Sequence, residues 1–223
     1  MGLVMNELIK MTDGIVSRYI NRKISTRITM FIVKKRINIT PNQVSVLSFA
    51  IGIISALIYL FNNPLLAGIG VQASSIIDGV DGELARILKK TTRFGAFFDA
   101  ILDRLVNIVI IICISLYLSN LGVNQELLLV SSICALSGDL MVSYIHARGE
   151  ASLNIHPIKI GIGLNYASRD VRLFTIFMGS VLENFIEGVL LYTLVIIALL
   201  SYSYVILKII DAYRYSGEIN SRT

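Results

Sequence analysis

Four aspartates, Asp78, Asp81, Asp99 and Asp103, stand in stretches otherwise made mostly of apolar residues and glycine. Asp78 and Asp81 are three residues apart and Asp99 and Asp103 four apart, so each pair shares one face of a helix. Between the pairs, Lys89-Lys90-Thr91-Thr92 reads as a turn. An antiparallel hairpin folded about residue 90 sets 81 opposite 99 and 78 opposite 103. All four carboxylates then converge roughly 10–20 Å from the turn, at about 1.5 Å of rise per residue. Ionised carboxylates so close repel, and Arg104 alone cannot neutralise four of them. Divalent cations can. Carboxylate ligands with no His or Cys nearby suit the hard ions Mg2+ or Mn2+ better than zinc. A pair of such ions sharing bridging carboxylates stabilises the attacking and leaving oxygens of phosphoryl transfer. The competing readings are interhelical salt bridges or a proton or cation pathway. Against salt bridges, the basic residues needed for pairing are absent from the same faces.

The same hairpin offers a strip of small residues. Gly79 and Gly82 flank Asp81, Ala85 follows three residues after Gly82, and Gly95 precedes Asp99 by four. Such a strip lets a neighbouring backbone or a flat ligand approach closely, and helix packing alone also explains it. Arg86, four beyond Gly82, is placed to hold a phosphate.

The elements that position these residues follow from composition. The 223 residues are 55% hydrophobic and only 16% charged, without Trp, and the mean hydropathy is +0.73. A soluble surface needs about 25% charged residues, and a disordered chain must be far less apolar. Cys113 and Cys134 both lie inside apolar runs, which excludes a disulfide scaffold. What remains is an all-α, polytopic membrane protein. Six segments are long and apolar enough to be expected as transmembrane helices: 44–61, 65–86, 95–119, 126–147, 171–183 and 187–209. The fifth is short. Lys10 leads into Met11-Thr12-Asp13-Gly14 and not into an apolar core, so no N-terminal signal peptide is expected.

Lysine and arginine alternate with the spans. Eight fall in 1–43, four in the 83–94 turn, four in 146–172 and three from Lys208 onward, whereas the connections near 62–64, 120–125 and 183–187 carry none. This bias predicts a cell-membrane protein with both termini and both long turns on the cytoplasmic side. The net charge of +5 is therefore a matter of topology and does not point to nucleic acid. Glu126, Glu183 and Glu187 fall at the outer rim, where water is expected to solvate them. Three units result: residues 1–43, a six-span membrane domain over 44–211, and a cytoplasmic tail over 212–223. In the first, Ile15, Tyr19, Ile24, Ile28 and Phe31 recur at near-helical spacing among Arg18, Arg22, Arg27 and Lys34, as expected of interfacial amphipathic helices. Thr40-Pro41 supplies an N-cap and a first helical residue for the first span.

The run Asp78-Gly79-Val80-Asp81-Gly82-Glu83-Leu84-Ala85-Arg86, followed by Gly95, Asp99 and Asp103, resembles the CDP-alcohol phosphatidyltransferase motif at all eight fixed positions over 26 residues. Ile39-Thr40-Pro41-Asn42-Gln43-Val44 and Ser143-Tyr144 with Ala147-Arg148-Gly149-Glu150 extend the resemblance. Thr12-Asp13-Gly14, Ser17-Arg18-Tyr19, Asn21-Arg22 and Ser168-Arg169-Asp170-Val171-Arg172-Leu173 are similar to the inositol-phosphate-using branch. That branch includes di-myo-inositol-phosphate-phosphate synthases and phosphatidylinositol-phosphate-synthase-like enzymes. The likeness covers about 12–175.

The resemblance implies an enzyme with two Mg2+ or Mn2+ ions on Asp78, Asp81 and Asp99, and with Asp103 as a further ligand or as general base. Gly82, Ala85, Arg86 and Gly95 would face the cytidine diphosphate of a CDP-linked donor, either CDP-inositol or a CDP-lipid. A hydroxyl of a phosphorylated polyol, inositol phosphate, would attack the β-phosphorus and release CMP. The basic cluster Arg148, Arg169 and Arg172 suits the acceptor's phosphate, although the ordinary positive-inside surplus also accounts for it. A homodimer is implied as well. His156 reads as a loop residue, and Asp139 either lines the pocket or bonds a neighbouring span. The alternatives are a phospholipid synthase of the phosphatidylglycerophosphate or phosphatidylserine type, a cation transporter, and a catalytically inactive scaffold.

Overall fold

The computed structural model describes residues 14–161 and 165–220. The readings made on Lys10 to Asp13 lie outside the described residues. Among the described residues the protein is helical throughout, with seven α-helices: α1 Arg22–Lys34, α2 Pro41–Ile58, α3 Pro64–Ile87, α4 Arg93–Asn120, α5 Gln125–Leu153, α6 Arg169–Glu183 and α7 Val189–Asn220. A π-helical turn, Ser17–Asn21, leads into α1, and a 3-10 turn, Tyr59–Phe61, extends α2.

The helices after α1 coincide with the six apolar segments. Four of them are long and apolar enough to cross a membrane: Pro41–Phe61, Arg93–Asn120, Gln125–Leu153 and Val189–Gly217. The other two differ for local reasons. α3 has 24 residues but carries Asp78, Asp81 and Glu83, and α6 has only 15 residues, about 22 Å of helix. α7 runs past Asp211 to Asn220, so the segment read as a tail begins as helix.

Each helix start has a local cause. Thr40 and Gln43 form a reciprocal capping box with Pro41 in the first turn of α2. Asn63, Thr92 and Asn124 cap α3, α4 and α5 through side-chain oxygens. The Thr92 cap accepts the Gly95 N–H at 2.9 Å, which begins α4 directly after the lysine turn. Lys89 turns the chain there with a left-handed φ of 53°.

Small residues set the spacing of the bundle. Ser45, Ser48, Gly52 and Ser55 are the buried strip of α2 and pack on α3. A side chain at Gly52 would lie 2.7 Å from Val106 and 3.0 Å from Ser74, so α2, α3 and α4 approach closely there. The main apolar core, which includes Tyr59, Val71, Ile110, Ile114, Leu118, Leu190 and Leu194, fills the half of the bundle away from the lysine turn. At that far end Glu183 is buried, not water-solvated as its rim position predicts. It accepts the Gly188 and Leu190 N–H groups at 2.7 Å each and the Tyr117 hydroxyl at 3.3 Å, so it serves as the cap that starts α7.

The N-terminal helix packs by its polar side and, further along, by Ile28, Ile32 and Val33 against Val44, Val80 and Leu84. Asn21, Arg22, Ser25, Thr26 and Thr29 are buried against α3, while Tyr19, Ile24 and Phe31 stay exposed beside Lys23 and Arg27. Glu83 organises this contact and is 0% exposed. It receives Arg22 at 2.8 Å, Ser25 at 2.7 Å, Thr26 at 3.2 Å and Thr29 at 2.8 Å. Breaking a buried ion pair from one side costs about 3 kcal/mol or more. Glu83→Ala should therefore lower the thermal midpoint of the purified protein by several degrees, whereas Glu126→Ala on the exposed rim should leave it unchanged. Equal midpoints for both variants would show that the α1–α3 contact is not held by this carboxylate.

Candidate active site

The α3–α4 hairpin brings the predicted carboxylates together. One oxygen each of Asp78, Asp99 and Asp103 lie within 4.8 Å of one another. Asp81 and Asp99 face each other in side-chain hydrogen-bonding reach, which matches the predicted register of 81 opposite 99. Asp78 and Asp103 meet through a third helix: Arg169 Nη1, at the start of α6, lies 2.8 Å from Asp78 Oδ2 and 3.0 Å from Asp103 Oδ1. Arg104 reaches Asp103 at 3.4 Å. The pairing cation absent from the hairpin faces thus comes from α6.

Helix α2 contributes two groups that spacing of acidic residues does not find. Ser45 Oγ donates a hydrogen bond to Asp81 Oδ2, and Ser48 Oγ points to Asp78 Oδ1 at 3.5 Å. Their signal in the sequence is the Ser-x-x-Ser spacing directly after the Thr40-Pro41 helix start. Asn107, one turn beyond Asp103, continues the Gly95, Asp99, Asp103 ladder at the same interval of four, and its amide oxygen accepts from Arg169 Nε at 3.4 Å.

Two cavities meet at the aspartates. One, of about 300 Å³, runs from Pro41 and Ser45 past Gly82, Ala85 and Arg86 to Lys90, Thr92 and Gly95. The other, of about 290 Å³, is lined by Asp78, Asp103, Arg169 and Arg172 together with Ser143, His146 and Asn165. Asp81, Gly82, Arg86 and Asp99 border both. A side chain at Gly82, which borders both cavities, would meet the Arg86 guanidinium at 3.3 Å. Gly79 borders the second cavity too, and on its other side it packs closely on Ser25 of α1.

The three predicted phosphate-binding arginines separate. Arg169 stands beside the aspartates. Arg172 lines the same cavity but directs its guanidinium to Asp139 Oδ1 at 2.8 Å and to the Ala167 carbonyl. Arg148 is exposed and is not among the cavity-lining residues. Asp139 bonds neighbouring helices and does not line the cavity. His156 lies in the connection after α5, 3.9 Å from Glu150, and burial lowers its pKa from the ordinary imidazole value.

The donor set fits a hard divalent cation. Three carboxylates converge with a fourth adjacent, no His or Cys stands among them, and serine hydroxyls orient two of the aspartates from behind. Placed between a cavity lined by Gly82, Arg86 and Gly95 and one lined by Arg169, the cluster can bind a phosphate-bearing ligand from each side.

Residues 38–201 match the CDP-alcohol phosphatidyltransferase family. The chain belongs to that family of enzymes. Among curated proteins, it is 35% identical over 209 residues to the bifunctional IPC transferase and DIPP synthase of Aquifex aeolicus, covering 93% of this chain and 46% of that protein. It is 32% identical to the archaetidylinositol phosphate synthase of Pyrococcus horikoshii, over 79% of this chain and 85% of that one. The chain spans less than half the length of the bifunctional relatives it matches. The crystal structure of Mycobacterium tuberculosis phosphatidylinositol phosphate synthase with CDP-DAG bound shares the fold, with a TM-score of 0.71 at 22% identity over 86% of this chain and 94% of that one. The same Mycobacterium protein in complex with manganese and citrate gives a TM-score of 0.69 at 23% identity, over 85% and 89% of the two chains.

If the aspartates form a cation site, Mn2+ titrated into the purified protein without substrates should lose its free-ion electron paramagnetic resonance signal. Asp99→Asn removes one charge from the centre of the cluster and should weaken binding by about tenfold or more, the order seen when ligand shells are damaged. Unchanged Mn2+ affinity in that variant would place the ion elsewhere.

Proposed function

We propose that this chain is a divalent-metal-dependent CDP-alcohol phosphotransferase of the cell membrane. In this reading it moves a substituted phosphate from a CDP-linked donor, CDP-inositol or a CDP-lipid, to a hydroxyl of inositol phosphate, and CMP leaves. The observation that carries the reading is the position of the aspartates where two cavities meet, one reaching Ala85 and Gly95 and the other reaching Arg169, with Gly82 and Arg86 bordering both. A phosphorylated acceptor needs such a guanidinium, whereas a neutral one such as serine does not. The inositol-phosphate wording in the name of the archaeal relative supports the same acceptor.

Asp78, Asp81, Asp99 and Asp103 would hold two Mg2+ or Mn2+ ions. When bound, the ions neutralise pyrophosphate charge and make CMP a better leaving group. On the donor side, Gly82, Ala85 and Gly95 admit the cytidine diphosphate and Arg86 meets its phosphate. On the acceptor side, Arg169 holds the acceptor phosphate next to Asp103, with Arg172 behind it and Arg148 outside the cavity at the bundle end. Asp103 takes the proton of the attacking hydroxyl. That oxygen forms a bond to the β-phosphorus, the bond from the β-phosphorus to the bridging oxygen breaks, and CMP departs with the electron pair.

All six helices α2–α7 would cross the bilayer, with α1 in its interface and the remaining residues from 212 in the cytoplasm. Both termini and both cavities would face the cytoplasm, because the segments at that end hold 19 of the 20 lysines and arginines. The exposed apolar and basic side of α1 suits an interfacial position. The family resemblance adds a homodimer.

Purified protein with Mg2+ should release CMP only when a CDP-linked donor and inositol phosphate are both present. Mass analysis of products from CDP-inositol and CDP-lipid, each offered inositol phosphate, glycerol phosphate or serine, should show the inositol phosphate adduct. Asp103→Asn should cut turnover by about 10²–10⁴-fold, as loss of a general base does, while donor binding persists. Transfer to glycerol phosphate or serine alone would turn the reading to a phospholipid synthase. Cation flux in vesicles without CMP release would turn it to a transporter.

A further inference from the structure

Behind the acceptor-side cavity lies a chain of buried polar groups that the reaction itself does not require. Asp139 on α5 and Asn107 on α4 are 2% and 3% exposed, and Arg172 is 2% exposed. Asn107 Nδ2 donates to Asp139 Oδ1 at 2.9 Å, while Asn107 Oδ1 accepts from Arg169 Nε at 3.4 Å. The order of these bonds is forced by chemistry. A carboxylate only accepts and a guanidinium only donates, so a neutral group between them must do both, and an amide does. Asp139 therefore fixes the orientation of the Asn107 amide, and the amide fixes the Arg169 Nε edge. The Arg169 Nη1 edge is then left for Asp78 and Asp103 at 2.8 and 3.0 Å. Asp139 also forms an ion pair with Arg172, Nε to Oδ1 2.8 Å, so one buried carboxylate stands against both cavity arginines, directly for Arg172 and through Asn107 for Arg169.

We infer that Asp139, acting through Asn107, is a positioning residue for the Arg169 guanidinium and thereby for the acceptor's phosphate group. The assignment rests on the acceptor reading above for its effect on substrate, but not for the relay itself. A guanidinium held on one edge loses less rotamer freedom when a phosphate arrives, which is the benefit of a preorganised site.

A double-mutant cycle on the full chain tests this. Asn107→Leu, close in shape to Asn, cuts the link to Arg169 and leaves the Asp139–Arg172 pair in place; Asn107→Ala serves if the leucine variant does not fold. In thermal unfolding of purified protein, the midpoint losses of Asn107→Leu and Arg169→Ala should be non-additive, the double variant falling no further than the worse single one. Additive losses would overturn the relay. In the transfer assay, Asn107→Leu should raise the KM for inositol phosphate about tenfold, the order expected from a lost hydrogen bond to a charged group, with the donor KM within about twofold and no added effect on top of Arg169→Ala. An equal rise in both KM values would also overturn it, since that marks general disruption of the bundle. Coupled midpoints with an acceptor KM that Arg169→Ala does not move would keep the relay and remove the acceptor reading.

Discussion

Carboxylates crowded into a helical bundle repel one another, and in this protein the fold is arranged to hold them together despite that. Two unit charges 4 Å apart cost about 4 kcal/mol at the effective dielectric of a protein surface. Asp78, Asp99 and Asp103 meet within 4.8 Å, with Asp81 alongside. A short capped turn between α3 and α4 holds the register, close packing through Gly52 holds α2 against both, and Arg169 brings a counter-charge from α6. Each of these contacts opposes a repulsion that would otherwise splay the hairpin. The same crowding of carboxylate oxygens is the donor chemistry that suits a hard divalent ion.

The polar groups are arranged by depth. The far half of the bundle is packed with Tyr59, Ile110, Ile114, Leu118 and Leu194, while the half near the lysine turn carries serines, glycines and carboxylates. Several carboxylates in that half are met by an arginine from another helix: buried Glu83 by Arg22, buried Asp139 by Arg172, and the partly buried Asp78 and Asp103 by Arg169. Such pairs add little net stability but cost several kcal/mol when broken from one side. Their value here is geometric, since they fix where α1, α5 and α6 sit around two cavities that share Asp81, Gly82, Arg86 and Asp99.

The hairpin and its aspartates are legible in the sequence because the information is local. Intervals of three and four define helix faces, and a lysine-threonine turn defines the fold-back, so residue 81 meets 99 without any knowledge of the other helices. The helix start at Thr40-Pro41 is legible for the same reason. The partners from elsewhere are not. That Arg169 reaches Asp78 and Asp103 while Arg172 turns to Asp139 depends on how α6 docks, and two arginines three residues apart read alike until it does. Glu183 reads as a rim residue because its partners are backbone N–H groups, which leave no mark on composition. Asn107 was within reach, as the next rung of the interval-of-four ladder, but an uncharged amide in an apolar helix does not stand out.

In the proposed function the four aspartates share divalent cations where the two cavities meet. The most direct measurement of this sharing is an anomalous difference map from crystals of the protein grown with Mn2+, collected at the manganese edge. Density bounded by the carboxylates of Asp78, Asp81, Asp99 and Asp103 is expected, and its loss in Asp99→Asn crystals. Manganese bound only outside this cluster, with the four side chains pointing apart, would contradict the shared site.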